Sequence, residues 1–427
     1  MTREKTKLNY FLVKLFVIVT HLIFLGAVWL NGNYNSLFEV IKLAVIVIAS
    51  DIIYFVITSV LEQDTYTIDH LMVLIVNIGL IFQSCFGDVV FNLKHFITIV
   101  AGMVAYHIGY ILTRNSFKAE SFKPYCYGGV GLLIVVILLF TGSRSMWINF
   151  GSFSIQPSEF IKPLLVFICA TSLYKQQTKK KISIFTVNTD TIYMLAIAAV
   201  ILLLQWWCRD LGSIPTFAAV VCCAIINRIC YPRAKLSKKK IGIIVGLGIV
   251  LVIIALKLAP SYVKDRLYVD IWADRFGNGY QQCEALIGIA EGGWLGKGPG
   301  HGHLCEIAAY DTDIVFSAVS EEWGMFAAIM FIILVLVMLA TPLINSPKCY
   351  YHGNIAVGVV AVFVVQMSLN IFGSCNLIPF TGVTFPLLSN GGTSMVTSGF
   401  LIGMLKATQN PVCVRNIIEK KPERQVG

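Results

Sequence analysis

The chain has 427 residues, of which 57% are hydrophobic and 13% charged, and its mean hydropathy is +0.76. Those values exclude an ordinary soluble domain. The net charge of +10 invites a nucleic-acid partner, but no aromatic-interleaved basic motif accompanies it, so no nucleic acid is expected. The 12 cysteines include no Cys-x-x-Cys pair. Cys85, Cys169, Cys222 and Cys223 lie inside apolar runs, where cysteine acts as a small apolar residue. Cys283, Cys305 and Cys375 lie outside them, and the sequence leaves their pairing open.

Apolar runs of about 20 residues, long enough to cross a hydrocarbon core of roughly 30 Å, recur along the chain. They fall near 10–30, 38–61, 70–87, 93–113, 126–141, 160–174, 190–207, 214–231, 241–258, 314–340, 354–373 and 395–406. The expected fold is all-α and polytopic, with about 12 transmembrane helices. The first run is long and lacks a small-residue cleavage site, so it reads as a retained helix. Lys and Arg gather in alternate connections: Arg3, Lys5 and Lys7, then Arg114, Lys118 and Lys123, then Lys175 and Lys179 to Lys181. Arg228 to Lys240, Lys348, and Arg415 to Arg424 continue the series. By the positive-inside rule this places both termini in the cytoplasm, with an even number of spans. The connection at 62–69 has no Lys or Arg and is the weakest step of that count.

The opposite connections, at 142–159, 259–312 and 374–394, share the outer face and are the segments richest in Gly, Pro, Ser and isolated charges. The first contains Gly142-Ser-Arg-Ser-Met-Trp-Ile-Asn-Phe-Gly151 and Phe153-Ser-Ile-Gln-Pro-Ser-Glu-Phe-Ile-Lys162. Pro157-Ser158-Glu159 resembles a helix start, with a hydroxyl cap and an acid suited to the N-terminal dipole. Lys162 stands at i+3 from Glu159 on one helix face, and charges at membrane depth mark sites. The second, Trp272-Ala-Asp-Arg-Phe-Gly-Asn-Gly-Tyr-Gln281, sets Asp274 beside arginine and glycines, with Asp265 and Asp270 as rival acids.

These segments resemble, in order, the motifs of the SEDS family (shape, elongation, division and sporulation), the group of FtsW, RodA and SpoVE. The resemblance is carried by Gly142 to Lys162, Arg209-Asp-Leu-Gly-Ser213, Asp274 to Gln281 with Gly292 to Gly300, Thr312 to Gly324, and Pro379 to Ser394. It departs at Met146, Ala308, Asp311 and Asn390. Five predicted spans precede Gly142 where the family has three, which implies a core of about ten helices plus an extra N-terminal pair. The expected organisation is 1–141 for N-terminal helices, 142–408 for the core with an outer catalytic loop at 259–312, and 409–427 for a basic cytoplasmic tail.

The resemblance implies a peptidoglycan glycosyltransferase that polymerises lipid II into a nascent glycan strand outside the membrane. It implies a class B penicillin-binding protein as partner. Such an enzyme must deprotonate a sugar hydroxyl and stabilise the leaving pyrophosphate. Asp274 is the expected base. Arg144, Lys162 and Lys297 are the expected cations for the precursor, and Arg suits bidentate oxyanion contact. Trp147, Gln156, Ser158, Glu159, Gln281, Thr312, Asp313, Glu322, Ser389, Thr393 and Ser394 are expected to line the substrate site. The glycines from Gly292 to Gly300 suit an amide-lined anion nest or a hinge. A divalent cation, Mg or Mn, is compatible with the chemistry, with Asp313 as a candidate ligand. Arg209 and Asp210 are expected to pair or to join the cavity network. A lipid II flippase or transporter, and a non-catalytic scaffold for a transpeptidase, are the alternative readings.

Overall fold

The apolar runs become helices because lipid offers no partner for a backbone N–H or C=O, so each segment must satisfy its own. The computed structural model describes residues 3–60, 67–140, 146–150, 153–173, 179–182, 185–230, 270–277, 279–344 and 350–409. The predicted span at 241–258, Arg144, Asp265 and the chain beyond 409 lie outside the described residues.

The helices are α1 (Arg3–Asn31), α2 (Leu37–Val60), α3 (Thr67–Gln83), α4 (Leu93–Thr113), α5 (Ser116–Phe140) and α6 (Pro157–Ser172). They continue as α7 (Thr189–Trp207), α8 (Ser213–Cys230), α9 (Tyr280–Gly292), α10 (Val315–Ile344), α11 (Tyr350–Ser374) and α12 (Gly392–Ala407). Seven of the described helices are long and apolar enough to cross a membrane, making this a multi-pass membrane protein. Two antiparallel hairpins, β1 (Ile148–Phe150) with β2 (Phe153–Ile155) and β3 (Lys179–Ile182) with β4 (Phe185–Asn188), are additions to the expected all-α fold. So is α9, inside a stretch expected to be loop.

Burial sorts the helices. Helices α1, α2, α4, α5, α7 and α10 present exposed Leu, Ile, Val and Phe along one side, as lipid-facing helices do. Helices α3, α6 and α12 are enclosed, and this frees them to carry polar groups such as Asn77, Glu159, Lys162, Thr397 and Lys406. Helix α12 has 16 residues, so it is only about 24 Å long and short for a span. It lies against α4 backbone to backbone. A Cβ at Gly399 would sit 2.1 Å from Gly102 O, and one at Gly403 would sit 1.9 Å from Tyr106 O. Small residues permit this approach where dispersion must hold helices together in lipid.

Helix α10 is broken at Gly324 (φ 84°, ψ 161°), two residues after Glu322. The break admits the strand-like run after α9: Met325 N donates to Gly293 O at 2.9 Å and Phe326 N to Trp294 O at 3.2 Å. No broken helix is apparent in the sequence, because a lone glycine in an apolar run gives no such signal.

Candidate functional site

Helix α6 begins with Pro157 after Gln156. The expected hydroxyl cap does not form: Gln156 is the N-cap residue, and Ser158 Oγ is buried with no hydrogen-bond partner among the described residues. One turn on, Lys162 Nζ meets Glu159 Oε1 at 2.5 Å, with both residues buried. Thr397 Oγ1 of α12 donates to Glu159 Oε2 at 3.3 Å. Two opposite charges therefore share a helix face inside the bundle, an arrangement that survives only when each satisfies the other.

Beside them opens a cavity of about 260 Å³. Its walls carry Trp147, Gln156, Arg209 and Asp210, together with the run Thr381–Thr384. The turn from α7 to α8 aims Arg209 and Asp210 there, and Arg209 adopts φ 60°, a left-handed conformation that a non-glycine residue holds at a cost of about 1–3 kcal/mol. Asp210 is fastened by Ser213, whose Oγ donates to Oδ2 at 2.7 Å and whose N–H donates to Oδ1 at 3.2 Å; Gln156 Nε2 approaches at 3.4 Å. Burial pushes the Asp210 carboxyl above its ordinary range, while the Ser213 hydrogen bonds and Lys162 pull the other way.

Asp274 lies in the turn 270–277 ahead of α9, and its side chain is exposed. Its carbonyl accepts the N–H groups of Gly277 and Gly279 at 3.0 and 3.2 Å. The carboxylate lies over Gly277: a Cβ there would fall 2.2 Å from Asp274 Oδ1. Of its rivals, Asp270 uses Oδ1 to accept the amides of Trp272 and Ala273, at 3.1 and 3.2 Å, so it shapes the turn. Helix α9 is fixed by Gln281 Nε2 donating to Ala308 O at 2.9 Å, and by Gln282 Nε2 donating to Gly373 O at 3.3 Å.

The C-terminal motif is latched onto the same region. Ser389 Oγ donates to Thr312 O at 2.6 Å and accepts from Phe385 N at 2.8 Å. Ser394 Oγ and the cavity residue Thr384 Oγ1 are 2.7 Å apart, while buried Thr393 gives its carbonyl to Thr397 Oγ1 at 2.9 Å. The Asp313 carboxylate backs onto Gly382 in the cavity wall, and burial raises its pKa.

Lys297 and Glu322 do not join this cavity. Lys297 is held by Glu291 and, at 2.8 Å, by Glu321. Glu322 accepts the amides of Gly87, Gly300 and Gly302 at 2.6, 2.9 and 3.2 Å. Of the glycines from Gly292 to Gly300, Gly300 gives its amide to a carboxylate, and that anion is the protein's own Glu322.

Residues 62–411 match the FtsW, RodA and SpoVE family, described as cell cycle proteins. The chain belongs to that family. It is 30% identical over 311 residues to a probable peptidoglycan glycosyltransferase FtsW of Legionella pneumophila, covering 69% of this chain and 75% of the relative. It is 29% identical over 289 residues to stage V sporulation protein E of Bacillus subtilis, covering 64% of this chain and 75% of that one. The fold matches a chain from a peptidoglycan synthase complex that coordinates polymerization and crosslinking, with TM-score 0.59 and 18% identity over 81% of this chain and 96% of the other. It also matches rod shape determining protein RodA of Thermus thermophilus, with TM-score 0.53 and 17% identity over 81% and 96%.

Within this FtsW/RodA/SpoVE chain, Thr216, Thr381 and Asn370 are among the side chains of the site that sequence reasoning missed. Thr216 and Thr381 line the cavity with buried hydroxyls that have no hydrogen-bond partner among the described residues. Asn370 donates to Asp313 O and Val383 O, both at 2.8 Å, and so joins two motif segments. An asparagine inside an apolar span was a usable signal for the last. For the threonines nothing local distinguishes a cavity hydroxyl from one bonded to its own helix.

Proposed function

We propose that this family member is a peptidoglycan glycosyltransferase that extends a glycan strand from lipid II at the outer face of the bacterial cytoplasmic membrane, with Asp274 as general base. The exposed Asp274 carboxylate carries the reading, since it reaches solvent on the turn that precedes α9 at the place of the family's loop acid, whereas Asp270, Glu321 and Glu322 accept backbone amides. The base takes the proton of the attacking sugar hydroxyl as its oxygen bonds to the anomeric carbon of the donor. The bond from that carbon to the pyrophosphate oxygen breaks, and undecaprenyl pyrophosphate departs. Arg209 and Lys162 stand in the cavity wall to receive pyrophosphate oxygens, with the Thr216 and Thr381 hydroxyls as further donors. Helix α9 and the Ser389 latch hold the turn and the cavity wall in fixed relation, which supports catalysis by positioning.

Among the described residues, no three His, Cys, Asp or Glu side chains are grouped to hold a metal. A Mg or Mn ion in this proposal would be held by Asp313, whose carboxylate backs onto Gly382 of the cavity wall, together with substrate phosphates, the usual mode for Mg. The alternate basic connections support cytoplasmic termini. The likeness to a chain of a synthase complex that couples polymerization to crosslinking supports a class B penicillin-binding protein as partner.

The deciding assay adds lipid II to purified protein, with and without that partner. The wild type should yield glycan strands, and Asp274→Ala should reduce polymer at least a hundredfold while its thermal midpoint stays within about 2 °C, as expected for an exposed substitution. A flippase would translocate lipid without polymer, and a scaffold would do neither. Undiminished polymerisation by Asp274→Ala overturns the proposal.

A further inference from the structure

The turn between α1 and α2 precedes the family match, which begins at residue 62, yet it is built into the Asp274 side of the molecule. Asn33 N donates to Pro299 O at 2.9 Å, Asn33 Nδ2 donates to Gly300 O at 3.1 Å, and Asn33 O accepts from Val89 N at 3.0 Å. Gly300 has φ 78°, and a Cβ on it would fall 2.6 Å from Asn33 O, so the two backbones touch. The far side of the same loop rests on Glu322 through the amides of Gly300 and Gly302. The loop is thus gripped between α10 and the first two helices.

Those helices are themselves locked. His21 Nδ1 meets Asp51 Oδ2 at 2.6 Å, and Asn77 Nδ2 of α3 donates to Asp51 Oδ1 at 2.7 Å, all three residues being buried. Toward the other end, Tyr54 OH donates to Asp69 Oδ1 at 3.2 Å. The gripped loop continues from α9 without slack, because Gly296 N donates to Gly292 O at 2.8 Å and Leu304 packs under Gly288. Asp274 stands just before the other end of α9.

The geometry points to a role for the N-terminal pair: it is a built-in clamp on the loop 297–304, with Asn33 as a positioning residue that steadies α9 and hence the Asp274 turn. Hydrogen exchange tests the clamp directly, whereas its effect on turnover rests on the glycosyltransferase reading. Full-length protein in phospholipid nanodiscs carrying Asn33→Ala should exchange the amides of Gly300 and Gly302 roughly fivefold faster than wild type, as loss of one hydrogen bond predicts. The thermal midpoint should not move, and kcat on lipid II should fall while KM holds. Asn33→Asp keeps the size but removes the donor and should behave like Asn33→Ala; Asn33→Gln, which retains a donor, should restore part of the protection. Gly300→Ala, which forces the turn and loop apart, should reproduce the faster exchange at Gly302. Wild-type exchange at 300–302 in Asn33→Ala and Gly300→Ala would overturn the clamp. If exchange rises as expected but Asp274→Ala polymerises normally, the clamp stands and the catalytic reading falls.

Discussion

Among single residues, Glu159 and Lys162 carry a large energetic consequence because they form a buried ion pair. Both charges are enclosed, so deleting one strands the other in a low-dielectric interior at a cost of about 3–5 kcal/mol. Lys162→Met and Glu159→Gln should each lower the thermal midpoint in detergent. The double variant should recover most of that loss, because an apolar and a neutral polar side chain no longer leave an unpaired charge. Polymer synthesis should not recover with it, since the cavity has lost its ammonium. A double variant that regains activity would assign the pair to stability alone. The Lys297 bridge behaves differently because it reaches solvent. Burial disfavours the Lys297 ammonium, but its bonds to Glu291 and Glu321 prevail and raise its pKa above the ordinary 10.5, while Lys297 lowers Glu291 below the ordinary 4.5. The raised lysine contributes stability that is complete below 10.5 and is lost as pH climbs through its folded value. The depressed glutamate contributes stability present above 4.5 and lost as pH falls through its folded value. The midpoint difference between wild type and Lys297→Met should therefore be flat across neutral pH and shrink at both extremes.

At the scale of elements, the seam between α4 and α12 tolerates no added methyl group. Gly403→Ala places a Cβ 1.9 Å from a backbone carbonyl that cannot rotate away, so the helices must separate. Overpacking of this kind costs about 1–3 kcal/mol or more, and it should appear as a lower midpoint and poorer yield of folded protein. Gly128→Ala in α5, where a Cβ meets nothing within 4 Å, should be neutral or stabilising by up to about 1 kcal/mol through helix propensity. Equal effects from the two substitutions would refute the seam. The broken helix α10 follows the same logic: Gly324 leaves room for the chain after α9, and Glu321 and Glu322, three and two residues before that break, reach back to five backbone amides. A carboxylate that accepts several N–H bonds organises a loop, and for that reason these acids are unavailable as bases.

Across the whole molecule, the polar network of α1, α2 and α3 decides whether the N-terminal helices act as part of the enzyme or as an appendage. Asp51 accepts from both His21 and Asn77 at full burial. Asp51→Ala should cost about 3–5 kcal/mol and should increase proteolysis within the connection that joins α2 to α3. An unchanged cleavage pattern would show that apolar packing alone retains the pair.

The sequence by itself determined the membrane class, the long apolar helices among the described residues, the order of the motifs and the prominence of Asp274. Hydropathy acts over about 20 residues, and motif spacing is read along the chain, so both are legible without a fold. The assignment of partners was settled only by tertiary structure. Lys297, Glu322 and Ser158 look as functional in sequence as Lys162 does, yet one is neutralised by two glutamates, one holds glycine amides and one caps nothing. Asn33 and Thr216 carry no local signal, and they matter because residues 267 positions away in one case, and a cavity wall in the other, are brought against them. A side chain's charge is written in its identity, but whether that charge is free for a substrate depends on what the fold places within hydrogen-bonding distance.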